Sequence, residues 1–359
     1  EMTTEELLKE IEENHNNSLF EEIFKRRDKE LYRTALFYKG TKINYLTLKY
    51  NVIKYAKALK AYGIKKGDEI PICMANTPEF IYLLGGISLI GAKANIFGEG
   101  FDKEYITEII NGCNSDILFA TDDKYSVIDD SVKKSKNKRV VLISLTESLL
   151  NGKNPYIKLE KKWYDFKDRR NEIKDNSSRF MFSSEFLNLG KEYKGNYIEK
   201  VNLDDEFTIT YSSGSTNSSR PKAIVHDVKS YIVMGIYHDP KISKVPSMKN
   251  LRMLAHIPTH SNTNIMSCIT DPLMQGSEIA VEPIYAPDHF VYSLLINKPS
   301  FVTATRSFFV RCANDILNNK KFKNVKMPFL LVPMIVGEPN SIGEEKFCNK
   351  FLRKVRREE

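Results

Sequence analysis

The chain has 359 residues, enough to bury a large core in one big domain or two closely packed ones. Hydrophobic residues make up 42% and charged residues 28%, a balance that excludes disordered and fibrous classes. The formal net charge is +8, but the lysines are spread among Asp, Glu and Asn with no basic run interleaved with aromatics, so a solvated surface is expected and no nucleic-acid partner.

In chain order, residues 3–27 read as one amphipathic helix. Thr3 and Glu6 have capping-box spacing, and Leu7, Leu8, Ile11, Leu19, Phe20, Ile23 and Phe24 recur at helical intervals. Residues 35–38 followed by Lys39-Gly40-Thr41 read as a strand and hairpin turn. A helix over 46–62 ends at Gly63, and a strand over 69–74 follows the turn Gly67-Asp68. Thr77-Pro78-Glu79 caps a helix over 79–90, closed by Gly91, with a short strand through Ile96. A helix over 102–112 and a strand over 116–121 continue the alternation, which argues for a largely parallel sheet covered on both faces.

Residues 147–200 break this rhythm. They are rich in Lys, Asn, Asp and Ser, hold the single Trp163, and read as an irregular connector with one helix near 184–189. Strands are then expected at 207–211, 221–226, 251–255, 278–281, 301–304 and 329–336, with helices at 231–237, 287–297 and 307–318. The expected division is a first α/β subdomain over 1–200 and a second over 201–359, with packing of the chain's start on the second left open. Five widely spaced cysteines without a CxxC pair argue against a zinc ribbon or a disulfide framework, and for reduced thiols in a cytoplasmic protein. The most apolar run, 80–92, is shorter than the roughly 20 residues of a membrane span, and the acidic, polar start lacks signal-peptide character.

The chemistry concentrates in Tyr211-Ser212-Ser213-Gly214-Ser215-Thr216-Asn217-Ser218-Ser219-Arg220-Pro221-Lys222. Small residues let backbone N–H groups approach a phosphate chain, hydroxyls donate, and Arg220 and Lys222 supply charge. No GxxxxGK[ST] string occurs, so it is not a Walker A loop, and a flexible Ser/Asn-rich surface loop is the alternative. A second cluster is His256-Ile257-Pro258-Thr259-His260. Two histidines four apart suggest zinc, but Pro258 between them opposes the helix that would put both on one face. A plain buried histidine is open for either.

Tyr211 to Thr216, then Pro221-Lys222 and a strand ending in His226, resembles the phosphate loop Y-T-S-G-[ST]-T-G-x-P-K-G of the acyl/aryl-CoA synthetases, adenylation domains and luciferases. Asn44-Tyr45-Leu46 through Gly63, Gly67-Asp68 and Pro78-Glu79-Phe80 to Gly91-Ala92 is similar to that family's opening, and Gly337-Glu338-Pro339 to its "GGEPL" turn. The chain is identified on these motifs as a member of the adenylate-forming, AMP-binding superfamily. The resemblance implies layered, mostly parallel sheets flanked by helices, the large N-terminal domain of that fold, with the small C-terminal domain absent. It implies ATP and Mg2+ as cofactors, a carboxylic acid as substrate, and coenzyme A as acceptor. Ser212, Ser213, Gly214, Ser215, Thr216 and Lys222 are the implied phosphate contacts, with Thr216 also at the metal. Gly337, Glu338 and Pro339 are implied beside the adenine, and His260 beside the acid as the catalytic candidate, ahead of His256.

The sequence departs from the pattern at Asn217, where the family has glycine, at Ala223, and in two extra residues between Thr216 and Pro221. The family's Y-G-x-T-E string, ribose aspartate, hinge and C-terminal lysine do not occur, so part of a longer enzyme is expected, with very weak or no adenylation by these residues alone. Three readings stay open: an acyl-CoA synthetase-like ligase, an amino-acid or aryl-acid adenylation domain loading a carrier protein, and a non-catalytic nucleotide-binding module. The oligomeric state is not legible.

Overall fold

Strong local signals set the elements of the chain. Asn44 accepts a hydrogen bond from the Thr47 N–H at 2.8 Å and starts a helix that runs to Tyr62, where Gly63 turns left-handed at φ 108°. Thr77 caps the next helix through the Phe80 N–H at 3.2 Å, with Pro78 in its first turn and Gly91 closing it at φ 65°. The protein is described by a computed structural model over residues 6, 9, 17–135, 138–149, 179–212, 220–238, 247–322, 324–337 and 341–356.

The strands in chain order are β1 Thr34–Tyr38, β2 Thr41–Asn44, β3 Glu69–Cys73, β4 Lys93–Ile96, β5 Ile117–Thr121, β6 Arg139–Ile143 and β7 Phe180–Phe182. β8 Glu206–Tyr211, β9 Ala223–Asp227, β10 Arg252–Ala255, β11 Glu278–Val281, β12 Phe301–Thr305 and β13 Val332–Val336 follow. The helices are α1 Leu19–Arg26, α2 Tyr45–Tyr62, α3 Pro78–Ile90, α4 Lys103–Gly112, α5 Tyr125–Lys134, α6 Ser183–Leu189, α7 Val228–Tyr237, α8 Asp271–Gln275, α9 Phe290–Asn297, α10 Arg306–Asn318 and α11 Ile342–Arg356. Among the described residues one sheet runs β13-β12-β10-β11-β1-β2 and the other β7-β6-β5-β3-β4-β8-β9. Pairing is parallel except in β1–β2 and β8–β9. In the first of these, Lys39 and Gly40 both have positive φ, which suits a tight two-residue hairpin turn.

Successive strand residues point to opposite sheet faces, and the core follows that alternation. Leu36, Met253 and Ile279 of the first sheet share one apolar cluster with Ile70, Ile117 and Val141 of the second, joined by side chains of α1, α2 and α3. Their neighbours Phe37, Leu254 and Ala280 face the outer helices α9, α10 and α11. Leu118 and Val140 face α4 and α5. The result is two sheets with helices between and outside them, and every residue of α3 is buried. Helices α2 and α3 meet closely at Gly86, where a Cβ would lie 2.9 Å from the Ala56 nitrogen and from the Tyr55 Cβ.

Several expectations are corrected. The helix over 3–27 is interrupted at Asn17–Ser18, because Ser18 and Glu21 form a capping box that starts α1 afresh. The Thr3 cap lies outside the described residues. The sheets do not divide at residue 200: β8 and β9 extend the sheet built by residues 69–182, and β1 and β2 close the sheet of β10–β13, because Leu36 pairs with Ile279. Trp163 and most of the 147–200 connector lie outside the described residues, while α6 forms near the expected place. Strands β6 and β7 and helix α5 were not expected. No described helix is long and apolar enough to cross a membrane, and the five cysteines are buried and unpaired.

Candidate active site

In parallel sheets ligands bind beyond the carboxyl ends of the strands. Here the segments following β3, β4, β5, β10 and β11 line a single cleft of about 450 Å3 between the two sheets. Backbone-directed hydrogen bonds join the two sides. Thr259 Oγ1 donates to the Met74 carbonyl at 2.6 Å, and Asn76 Nδ2 to the Ile257 carbonyl at 2.8 Å. Asn264 Nδ2 in turn donates to Asn76 Oδ1 at 2.7 Å. Asn264 begins a π-helical turn through Thr270 that runs into α8, where Pro272 lacks the N–H an α-helix would use.

The most informative link is the Tyr211 N–H donating to the His260 carbonyl at 3.2 Å. Tyr211 ends β8 and precedes Ser212, so this bond sets His260 beside the first residue of the hydroxyl-rich loop. Ser212 and Lys222 close the base of that loop: Ser212 N–H donates to the Lys222 carbonyl at 2.9 Å, and Lys222 N–H to Ser212 Oγ at 3.0 Å. The Lys222 side chain is exposed. Ser213, Gly214, Ser215 and Thr216 lie outside the described residues.

An aromatic group packs against Tyr211 at the loop base and against His260. Phe101 meets Tyr211 at 5.2 Å and His260 at 5.4 Å between ring centroids, both edge-to-face. Tyr105 on α4 donates its hydroxyl to the Pro221 carbonyl at 2.8 Å, and Tyr211 donates to Asn95 Oδ1 at 2.8 Å. Arg220 pairs with Glu108 of α4 at 2.7 Å. The His260 ring fits only because residue 98 is glycine, since a Cβ there would sit 2.8 Å from Cε1. Burial pushes the His260 pKa below its ordinary value, with Glu99 opposing, which favours a neutral imidazole at pH 7.

Residues 24–357 match the AMP-binding enzyme family. The chain belongs to that family. Among curated relatives it is 29% identical over 212 residues to a 3-hydroxypropionyl-coenzyme A synthetase of Sulfurisphaera tokodaii, a match covering 56% of this chain and 29% of that protein. An acetyl-coenzyme A synthetase of Methylocella silvestris is 26% identical over 216 residues, 56% of this chain and 30% of that protein. The match therefore spans under a third of either relative's length. Solved structures with the same fold include an anthranilate CoA ligase in complex with anthranoyl-AMP (TM-score 0.67, 14% identity, 88% of this chain and 54% of that one). A red-emitting luciferase from Phrixothrix hirtus aligns at TM-score 0.70 and 14% identity over 94% of this chain and 75% of that one.

Within this family member the other candidates divide by environment. His256, the second histidine, is fully buried, with Nε2 against the Thr303 carbonyl at 3.0 Å and its ring stacked on Phe290 at 5.3 Å. Burial lowers its pKa to about 4. It is a satisfied core histidine at the cleft floor, and no group of three or more His, Cys, Asp or Glu among the described residues could hold a metal ion. Gly337 follows β13 at φ 92°, beside Thr305 on the same carboxyl edge, but is not part of the cleft wall, nor are Ser212 and Lys222. Glu338 and Pro339 lie outside the described residues.

Sequence reasoning passed over three groups in the cleft. Asn76 stands between a strand end and a capping threonine, and its burial was the missing information. Lys124 contacts Glu99 and, at 2.9 Å, Asp123. Burial works against its charge, but the carboxylates outweigh this and raise its pKa. Tyr285 packs on Phe308 at 4.6 Å and faces the cleft from the segment after β11. Only a long-range register would have placed it there.

Proposed function

We propose that this chain binds ATP and a carboxylic acid and supports AMP-forming activation of the acid, with coenzyme A as the thiol acceptor. In that reaction a carboxylate oxygen attacks the α-phosphorus, a new mixed-anhydride bond forms, and pyrophosphate leaves with the broken P–O bond. Catalysis of this kind rests on positioning and on stabilising charge over phosphate oxygens. The loop from Ser212 to Lys222 would grip the β- and γ-phosphates, and Gly337 to Pro339 would flank the adenine. Magnesium would enter as the ATP chelate, with the Thr216 hydroxyl directed to it. The neutral His260 side chain would hydrogen-bond the acid carboxylate or the carbonyl it becomes.

The single observation that supports this reading is the Tyr211–His260 bond, which sets the histidine beside the base of the loop. The coenzyme A synthetase names of the curated relatives support the acceptor. The departures at Asn217 and Ala223 favour the second reading, a scaffold that binds nucleotide without activating an acid. Non-hydrolysable acyl-adenylate mimics separate the two. Acyl-sulfamoyl adenosines carrying acetyl, 3-hydroxypropionyl, long aliphatic, aryl and aminoacyl groups would be titrated calorimetrically. The ligase reading expects at least one to bind about 100-fold more tightly than AMP. Equal affinity for AMP and every mimic would leave only nucleotide binding, and the acid-activation reading would fall.

A further inference from the structure

Helices α2 and α3 border a second cavity, of about 470 Å3, that shares no wall residue with the cleft. Small-molecule sites commonly measure about 300–1,000 Å3. On α2, Thr47, Asn51 and Tyr55 recur every four residues, so this stretch of the helix turns a polar stripe to the cavity. On α3, Glu79 and Tyr82 face the same space, and Ser148 donates a hydrogen bond to Glu79 Oε1.

Two buried polar atoms of residues that line this cavity have no hydrogen-bond partner among the described residues. They are Glu79 Oε2, in a residue 3% exposed, and the Tyr55 hydroxyl, in a residue 2% exposed. Leaving such a group unsatisfied is costly, and a ligand that donates to it would offset that cost. The chemistry here favours a cation. A carboxyl, two phenol oxygens and the tyrosine faces of Tyr55 and Tyr82 suit an ammonium group, which carries three donors and is attracted to aromatic faces. Toward solvent the wall changes sign, with Lys54 half-buried and Lys42 exposed.

We propose that this cavity is a binding site for a small zwitterionic amino acid, its ammonium group on Glu79 and Tyr55 and its carboxylate toward Lys54 and Lys42. The proposal is independent of the nucleotide reading. Burial, and then the Glu147 carboxylate, raise the Glu79 pKa to about 8, with Ser148 and Thr77 hydrogen bonds opposing. Glu79 is therefore protonated at pH 7, and an arriving ammonium displaces its proton. Among the described residues, Tyr55, Tyr82, Lys42, Lys54 and Glu147 are the titratable or charged groups that line the cavity with it, from α2, α3, β2 and the turn after β6.

The probe is 5-aminovalerate, titrated into the 359-residue chain at pH 7 in two buffers of different ionisation enthalpy. Saturable one-to-one binding is expected, with release of close to one proton. Valerate and butylamine, each lacking one charge, should bind at least about tenfold more weakly. Affinity should rise about tenfold per pH unit below 8 and level off above it. Glu79→Gln preserves size and neutrality, so it should fold; Tyr55→Phe keeps the ring. Each should weaken binding about tenfold or more, and Glu79→Gln should abolish the proton release. The proposal is overturned if 5-aminovalerate fails to saturate the chain by about 10 mM. It is equally overturned if Glu79→Gln and Tyr55→Phe bind it as the parent does, or if butylamine binds equally well.

Discussion

Replacing Lys39 by Met tests how the cleft wall is held. Lys39 Nζ donates to both Glu282 oxygens, at 3.0 and 3.2 Å, and the two side chains are 2% and 0% exposed. Glu282 also accepts from the Ile284 N–H at 3.2 Å and from Asn297 Nδ2 at 2.9 Å, so it fixes the start of the segment that carries Tyr285. Removing one partner of a buried pair leaves an uncompensated charge, at a typical cost of about 3–5 kcal/mol. Two neutral donors to Glu282 remain, which points to the lower end, about 3 kcal/mol. Against a total stability of about 5–15 kcal/mol that is a large loss. Urea unfolding followed by circular dichroism should show a lower midpoint at unchanged slope. The double variant Lys39→Met with Glu282→Leu removes both charges and should recover most of the loss. A single-variant loss below about 1 kcal/mol, or a double variant no better than the single, would refute the argument.

Other predictions follow from the same geometry. His256 has a folded pKa of about 4, below its unfolded value, so its contribution is intact above about pH 6.5 and is lost as pH falls toward 4. His256→Gln should flatten the acid side of the stability profile by roughly 3 kcal/mol relative to the parent, read from urea midpoints between pH 7 and 4. Gly86→Ala forces a methyl against the Ala56 backbone and should cost about 1–3 kcal/mol, visible as a lower Tm. Glu108→Gln breaks only the half-exposed pair with Arg220 and should change stability by under about 1 kcal/mol in the same assay.

Much of the fold was legible because its signals are local. Asn44, Thr77, Gly63 and Gly91 cap or close their helices as their residue types suggest, and the alternating apolar strands fall near their expected limits. Sheet order was not legible. The pairing of Leu36 with Ile279 depends on tertiary packing that no local window contains. Helix α5 escaped notice because only Ile128, Ser131 and Val132 of its ten residues are buried, too thin a stripe for a periodic signal. Strand β6, whose apolar run is only Val140 to Ile143, is too short to distinguish from a helix by period. Between His256 and His260, the sequence ranked the second first only through a loose match to the family's motif. Burial separates them, because the Thr303 carbonyl and Phe290 occupy the first while the second stands beside the loop base. In the sequence Glu79 is part of a helix start and of the family's opening motif, and only its burial beside Tyr55 marks the second cavity.

The affinity of this chain for ATP, compared with adenosine and with the Lys222→Ala variant, probes the loop most directly. Lys222 is exposed, and its backbone bonds to Ser212 do not involve its side chain, so the variant should fold normally. A loop that holds the phosphate tail predicts a loss of about tenfold or more for ATP and little change for adenosine. Equal ATP affinity in parent and variant, or no ATP binding by the parent, would contradict it.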